Sequence, residues 1–344
     1  MKRRILPYII FLVLTAYFGC IPEPEKIIMT VNGPIPAHEM GTTLVHEHVL
    51  VDFIGADSTG YHRWNKTEAE ARIVPYLTEI QNLEVKTLIE CTPAFVGRDP
   101  FLLRMLSERT GMQLVTNTGF YGARQNRFIP TPFYQMTCEE LAAGWIDEFE
   151  NGIEGSGVRP GFIKIAVDDS INLSPEHRKI ISAAALTHNQ TGLVIASHTG
   201  PDGPAFEQIK VLQSYGINPS HFIWVHAQRG TLEGNIKAAK AGSWISLDNV
   251  NAQSGLAPDE PFSIDWYADR IAALKESGLL HRVLISHDAG WYSPGQENGG
   301  NFRGYTDIFK SLIPALMKRN FSEEDIQQLM IENPRDAYSI PEDV

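Results

Sequence analysis

The sequence predicts an α/β fold of the (β/α)8, or TIM-barrel, type. Eight short apolar, β-branched runs alternate with amphipathic stretches, and eight is the number that closes such a barrel. With 344 residues, 43% of them hydrophobic, the chain can bury one barrel of about 250 residues plus insertions. Residues that bind metals, His46, His48, Lys164, His198, His226 and Asp288, recur where these runs end. Barrel active sites assemble at the C-terminal face, so the same pattern proposes a site.

In chain order, the strand candidates are Thr42 to Val45, Lys86 to Glu90, Gln113 to Thr116, Gly161 to Ile165, Leu193 to Ser197, Phe222 to Val225, Trp244 to Leu247 and Arg282 to Ser286. Helical patterns fall between them at Pro100 to Arg109, Cys138 to Phe149, Ser174 to Gln190, Pro204 to Tyr215, Thr231 to Ala241 and Ser263 to Ser277. Strict alternation of the two kinds implies a parallel sheet. Ser174-Pro175-Glu176 supplies an N-cap with proline in the first turn, and Gly216, Gly242 and Gly278 stand where helices should stop. Ser293 to Arg303, rich in Gly and Asn, reads as a long loop, and two helices, Tyr305 to Arg319 and Ser322 to Ile331, would close the domain.

The first twenty residues differ in kind. Lys2, Arg3 and Arg4 precede an apolar run from Ile5 to Gly19 and then Cys20, the pattern of an export leader. That run contains Pro7 and is shorter than the about 20 apolar residues of a membrane-spanning helix, so cleavage is expected. Tyr17-Phe18-Gly19-Cys20 resembles a bacterial lipobox with Tyr17 where Leu is usual. Residues 1–20 are therefore read as a signal peptide with Cys20 lipidated, 21–26 as a tether, and 27–344 as a single barrel anchored at the periplasmic or outer surface of a membrane. Only Cys91 and Cys138 remain, too few for a disulfide framework. A net charge of −12 and a pI near 5.4 argue against a nucleic-acid or anionic-membrane surface, whereas a second copy of the chain stays open as a partner.

His46 and His48, two apart on a strand, share one face while Glu47 takes the other. Lys164 is the only charge in Phe162-Ile163-Lys164-Ile165-Ala166-Val167, and a buried ammonium without a partner is costly. A salt bridge, an outward orientation, or a chemical change could resolve it. In the third case desolvation favours the neutral amine, which adds CO₂ to give an anionic carbamate with two oxygens for two cations. His198 closes one strand and His226 the next, and Asp288 ends the last; its neighbour His287 should face the helical layer as a structural residue. Nitrogen and oxygen donors without thiolate suit Zn²⁺, Mn²⁺ or Co²⁺, Zn²⁺ foremost. Two such ions sharing a water lower its pKa toward neutrality.

With these residues in place, the chain resembles the phosphotriesterase family of the amidohydrolase superfamily. The matching strings are GTTLVHEHV at Gly41 to Val49, TGFYGA at Thr118 to Ala123, GFIKIAV at Gly161 to Val167, SHTG at Ser197 to Gly200, WVHA at Trp224 to Ala227, ISLD at Ile245 to Asp248, and Asn333-Pro334. The resemblance implies that His46, His48 and Asp288 hold the more buried metal and His198 and His226 the more exposed one, with carboxylated Lys164 bridging. It further implies a bridging hydroxide whose proton Asp288 takes. Lactonase-like members that act on acyl-homoserine lactones usually have Arg after the seventh-strand Leu-Asp; Asn249 stands here, which argues against that substrate. Tyr121, Asn249, Trp291 and Tyr292 are candidate pocket residues; Arg124 and Arg127 could meet an anionic substrate, but loop arginines are more often solvated. The expected activity is hydrolysis of a lactone or carboxylic ester, with slow phosphotriester turnover on the side. Hydrolysis of an N-acyl amide is the alternative within enzymes, and a non-catalytic surface binding lipoprotein the alternative outside them.

Overall fold

Residues 25–342 are described by a computed structural model. The expected leader, Cys20 and most of the tether lie outside these residues. No helix among the described residues is long and apolar enough to cross a membrane.

A parallel α/β arrangement dominates. After an antiparallel pair, β1 (Lys26–Thr30) and β2 (Gly33–Pro36), come β3 (Thr42–Leu50), α1 (Lys66–Gln81), β4 (Val85–Glu90), α2 (Pro100–Thr110), β5 (Gln113–Val115), β6 (Asn117–Thr118), α3 (Cys138–Asn151), β7 (Phe162–Ala166), α4 (Pro175–Thr191) and β8 (Ile195–His198). The chain continues through α5 (Asp202–Ser214), β9 (Phe222–Val225), α6 (Leu232–Lys240), β10 (Trp244–Leu247), α7 (Ile264–Glu276), β11 (Val283–Ile285) and β12 (Gly290–Tyr292). It ends in α8 (Ile313–Met317), α9 (Glu323–Gln327), α10 (Asn333–Tyr338) and β13 (Ile340–Pro341).

The parallel strands form two sheets, ordered β12-β3-β4-β5 and β11-β10-β9-β8-β7-β6. They meet where β5 runs through Thr116 into β6, and again where β11 runs through residues 286–289 into β12. At this second seam Asp288 N donates to His46 O at 3.0 Å and His48 N to Ala289 O at 2.9 Å. The arrangement fits a TIM barrel.

Two apolar cores follow from period-two alternation. Ile163, Ile165, Ile195, Trp224, Ile245, Leu247, Val283 and Ile285 face the helices, whereas Phe162, Val194, Ala196, Ile223, Val225, Trp244 and Leu284 pack together on the opposite face. Ile28 of β1, Met40, and Tyr338 of α10 join this inner set, so the β1-β2-β13 sheet that the sequence reading omitted closes its lower end.

Helix boundaries follow capping chemistry. Asn65 caps α1 by accepting from Thr67 N and Glu68 N, and Asp99 does the same for α2 with Phe101 N and Leu102 N. α1, an addition to the segments read from sequence, buries Ala69, Ile73, Leu77 and Ile80 along one stripe. The two closing helices depart from the expected uninterrupted pair. Ile308–Leu312 and Gln328–Glu332 are π-helical, and each stands just before a proline, Pro314 and Pro334. Proline cannot donate to the carbonyl four residues back and its ring crowds that oxygen; a widened turn relieves both. Cys91 and Cys138 are unpaired.

Gly290 holds the second seam. With φ +98, a Cβ there would lie 1.7 Å from His48 O and 2.3 Å from the Tyr305 hydroxyl. Gly290→Ala should therefore lower the unfolding free energy in urea by about 1–3 kcal/mol and reduce metal retention with it, since β12 positions Asp288. Gly111→Ala, at φ +75 with no atom within 4 Å, should cost about 1 kcal/mol and leave metal retention intact. Equal effects of the two changes would contradict this account of the seam.

Candidate metal centre

The six sequence-proposed donors converge on one cavity of about 100 Å³, at the ends of the strands. Not every one ends its strand. β3 runs on to Leu50, so His46 and His48 lie within it, and Lys164 is the third of five residues in β7. His46 and His48 share a face as expected, after register shifts between β3 and β4 from Leu44 to Glu47.

Left-handed backbone aims two of the donors. His226 (φ 61) and Asp288 (φ 52) occupy a region that non-glycine residues seldom visit, and such strain gathers at functional sites. In β9 the inward positions are Ile223 and Val225, so an extended chain would carry the next residue outward. The turn at His226 brings its ring back to the cavity instead.

Ligand atoms of His46, His226 and Asp288 lie within 4.8 Å of one another. His46 Nε2 is 3.7 Å and His48 Nε2 3.1 Å from Asp288 Oδ1, while His226 Nε2 is 2.7 Å from His198 Nδ1. The Tyr121 hydroxyl is 3.1 Å from His198 Nδ1. Burial pushes that phenol above its ordinary pKa, so it remains a proton donor at neutral pH.

The largest omission of the sequence reading is Asp248. It is fully buried, and its carboxylate receives His46 Nδ1–H (3.1 Å), the Ser246 hydroxyl (2.9 Å), His226 N–H (3.1 Å), Gln228 Nε2–H (3.1 Å) and His226 Nδ1–H. Burial alone would favour the neutral acid, but His226 and His46 outweigh it and hold the carboxyl well below its usual range. An ionised carboxylate only accepts, so both imidazoles must be protonated at Nδ1 and carry their lone pairs on Nε2. A signal was available: parity from Trp244 and Ser246 points Asp248 inward. For His48, Nδ1 meets the Thr92 hydroxyl at 2.8 Å and likewise leaves Nε2 toward the cavity.

Desolvation, with Lys164 adding to it, lowers the His46 imidazole to about 4; desolvation, with His226 adding to it, holds His198 well below its ordinary value. Both are neutral ligands at physiological pH. Burial opposes ionisation of Asp288, yet contact with the His48 and His46 imidazoles outweighs it and holds the carboxyl below the usual carboxylate range.

Glu47 and His287 form a support on the far side of the strands. Glu47 Oε1 accepts from His287 N (2.9 Å), Nδ1 (2.7 Å) and the Ser286 hydroxyl (2.7 Å), and Oε2 accepts from Ala289 N (2.9 Å). His287 Nε2 accepts from Ile308 N at 3.0 Å, which places this histidine in the structural role expected for it.

Two of the three ways of resolving the Lys164 charge find no support around it. Its side chain is 1% exposed and lines the cavity, and Nζ has no hydrogen-bond partner or carboxylate among the described residues. Neither salt bridge nor snorkelling applies, and an orphaned amine beside four imidazoles and a carboxylate fits a metal site.

Of the pocket candidates, Tyr121 and Trp291 line the cavity. Asn249 is exposed on a neighbouring depression that shares His198, His226, Asp288 and Trp291. Tyr292 is a correction: alternation along β12 turns it away from Trp291 into the outer core, where its ring backs Gly299.

Asp248→Asn should raise the dissociation constant for metal about 10–100-fold, because an amide presents a donor where the imidazoles need an acceptor. Metal content after dialysis against a graded chelator reads this out; unchanged retention would contradict it.

Comparison with known proteins places these observations in a family. The Phosphotriesterase family model matches residues 26–338. The phosphotriesterase homology protein of Escherichia coli is 31% identical over 302 residues, covering 87% of this chain and 98% of the relative. An N-acetyltaurine hydrolase of Xenopus tropicalis is 24% identical over 346 residues, covering 90% and 96%. A crystal structure of the Escherichia coli phosphotriesterase homology protein, complexed with phosphate in its active site, superposes with a TM-score of 0.74 at 28% identity, covering 87% of this chain and 99% of that one. The chain belongs to the phosphotriesterase family.

Proposed function

We propose that this protein is a binuclear metal-dependent hydrolase whose two parallel sheets form one closed barrel, acting on a lactone or a carboxylic ester. The orphaned Lys164 amine in a cavity lined by His46, His48, His198 and His226 carries the reading. His46, His48 and Asp288 would hold one divalent cation, His198 and His226 the other, and Lys164 as a carbamate would contribute to both. When bound, the metals supply Lewis-acid polarisation of the substrate oxygen and lower the pKa of water.

The chain's own groups do the rest. Asp248 fixes the tautomers of His46 and His226. Asp288, ionised and mostly buried at the cavity wall, accepts the proton of the attacking water. Tyr121 offers its hydroxyl to an oxygen of the substrate, and Phe53 and Trp291 exclude water from one side. The second reading, an amide hydrolase, uses the same groups and is supported by the N-acetyltaurine hydrolase among the relatives; phosphotriester turnover is expected only as a side activity.

A panel of lactones, carboxylic esters, N-acyl amino compounds and phosphotriesters, assayed with metal-reconstituted protein, tests the proposal. Turnover is expected in the first two classes, lost at least a hundredfold in Lys164→Ala and Asp288→Asn; silence on all four would refute it. Apo-protein given metal in CO₂-depleted buffer should regain activity more slowly than with bicarbonate, and indifference to bicarbonate would exclude the carbamate.

We also propose that the protein is exported and anchored through lipidated Cys20. Expressed with its leader, the protein should partition with membranes, and Cys20→Ser should release it to the soluble fraction. Identical partitioning of the two forms would argue against the anchor.

A further inference from the structure

Arg124 combines three features that the hydrolase reading leaves unused. It belongs to the lining of the metal-donor cavity although its side chain is largely exposed. It makes no ion pair among the described residues, unlike Arg229 nearby, which is held by Asp169. Its guanidinium instead lies over the Phe53 ring, 5.0 Å from the centroid.

The backbone is arranged to keep it there. Arg124, Gln125 and Asn126 are all left-handed, with φ of 59, 58 and 60°. A residue with a side chain is strained in this region relative to ordinary helix geometry. Asp168 offsets this by accepting from Arg124 N (2.7 Å) and Gln125 N (3.4 Å), so the carboxylate is spent on the turn rather than on the guanidinium.

A continuous wall leads from this cation to the metal donors. Phe53 packs edge-on against Trp291 with centroids 5.7 Å apart, and Trp291 against His48 at 6.1 Å. The indole Nε1 of Trp291 is buried without a hydrogen-bond partner among the described residues. Along one side the cavity thus offers an unpaired cation, which favours an anionic group, and a flat apolar surface, which favours an apolar segment next to it. In a chain of net charge −12, a local cation at the mouth also offsets the general repulsion of anions.

We propose that Arg124 is the specificity determinant of this site and selects substrates that carry a carboxylate, sulfonate or phosphate group away from the bond that is cleaved. The proposal rests on the hydrolase reading above and narrows its substrate class. The anion meets the guanidinium while the scissile carbonyl lies among His46, His198, His226 and Asp288, and the Phe53–Trp291 wall carries the segment between them.

The monomethyl and dimethyl esters of succinate, glutarate and adipate give matched probes that share a scissile ester and differ by one charge. With metal-loaded protein, at least one half-ester should exceed its diester at least tenfold in kcat/KM. Arg124→Gln should remove that preference by raising KM of the half-ester, the half-ester losing at least tenfold more in kcat/KM than its diester, and Arg124→Lys should restore part of it. Arg127→Gln, an exposed arginine outside the cavity lining, serves as the control and should change nothing. Calorimetric binding of the same pairs separates the two claims: if no ester is turned over, the ester-hydrolase reading fails, while a half-ester preference that Arg124→Gln abolishes still supports the anion site. Equal affinity for half-esters and diesters, or a preference that survives in Arg124→Gln, would overturn it and leave Arg124 as a residue that only packs on Phe53.

Discussion

One buried carboxylate organises the site. Asp248 accepts five hydrogen bonds in a position with no access to solvent, and two of its donors are the imidazoles that face the cavity from different strands. Removing that charge from water is costly unless it is fully paired, and here the pairing is what fixes the imidazole tautomers. The electrostatic requirement of the carboxylate and the ligand requirement of a metal are met by the same arrangement. Few other residue types at position 248 could satisfy both.

A second carboxylate, Glu47, does comparable work on the opposite face of β3. By binding Ser286, His287 and Ala289 it grips the stretch on either side of Asp288, and Arg303 closes that stretch from the other end through the carbonyl of Asp288 at 3.0 Å. The left-handed conformations at Asp288 and Trp291 persist because the surroundings determine them several times over. The apolar cores supply the burial that makes these polar contacts strong, and the polar contacts set the register that the apolar residues alone leave loose.

The outer and inner cores explain why the fold was legible. Alternation of two in β7, β8, β10 and β11 places Lys164, His198, Asp248 and Ser286 inward, and the amphipathic stretches between them are long enough only for helices. Where the reading fell short, local pattern gave way to tertiary contact. β1 and β13 pair across almost the whole length of the chain, a match no local window contains. The π-helical turns before Pro314 and Pro334 depend on how each helix accommodates its own proline once packed.

By itself the sequence determined the order of eight parallel strand runs and of the six helices α2 to α7, and the candidate donors His46, His48, Lys164, His198, His226 and Asp288, because each follows from residue type and position at or near a strand end; the outward direction of His287 follows from parity. Tertiary structure alone decided the rest. His226 lies at a parity that points outward and is returned to the cavity only by its left-handed backbone. Tyr292 leaves the pocket for the outer core beside Leu50, its partner in β3, while Trp291, on left-handed backbone, lines the cavity. Arg124 reaches the cavity through a strained turn capped by a carboxylate 44 residues away. Side-chain direction at a strand end is set by backbone torsions and distant hydrogen-bond partners, and neither is written in the local order of residues.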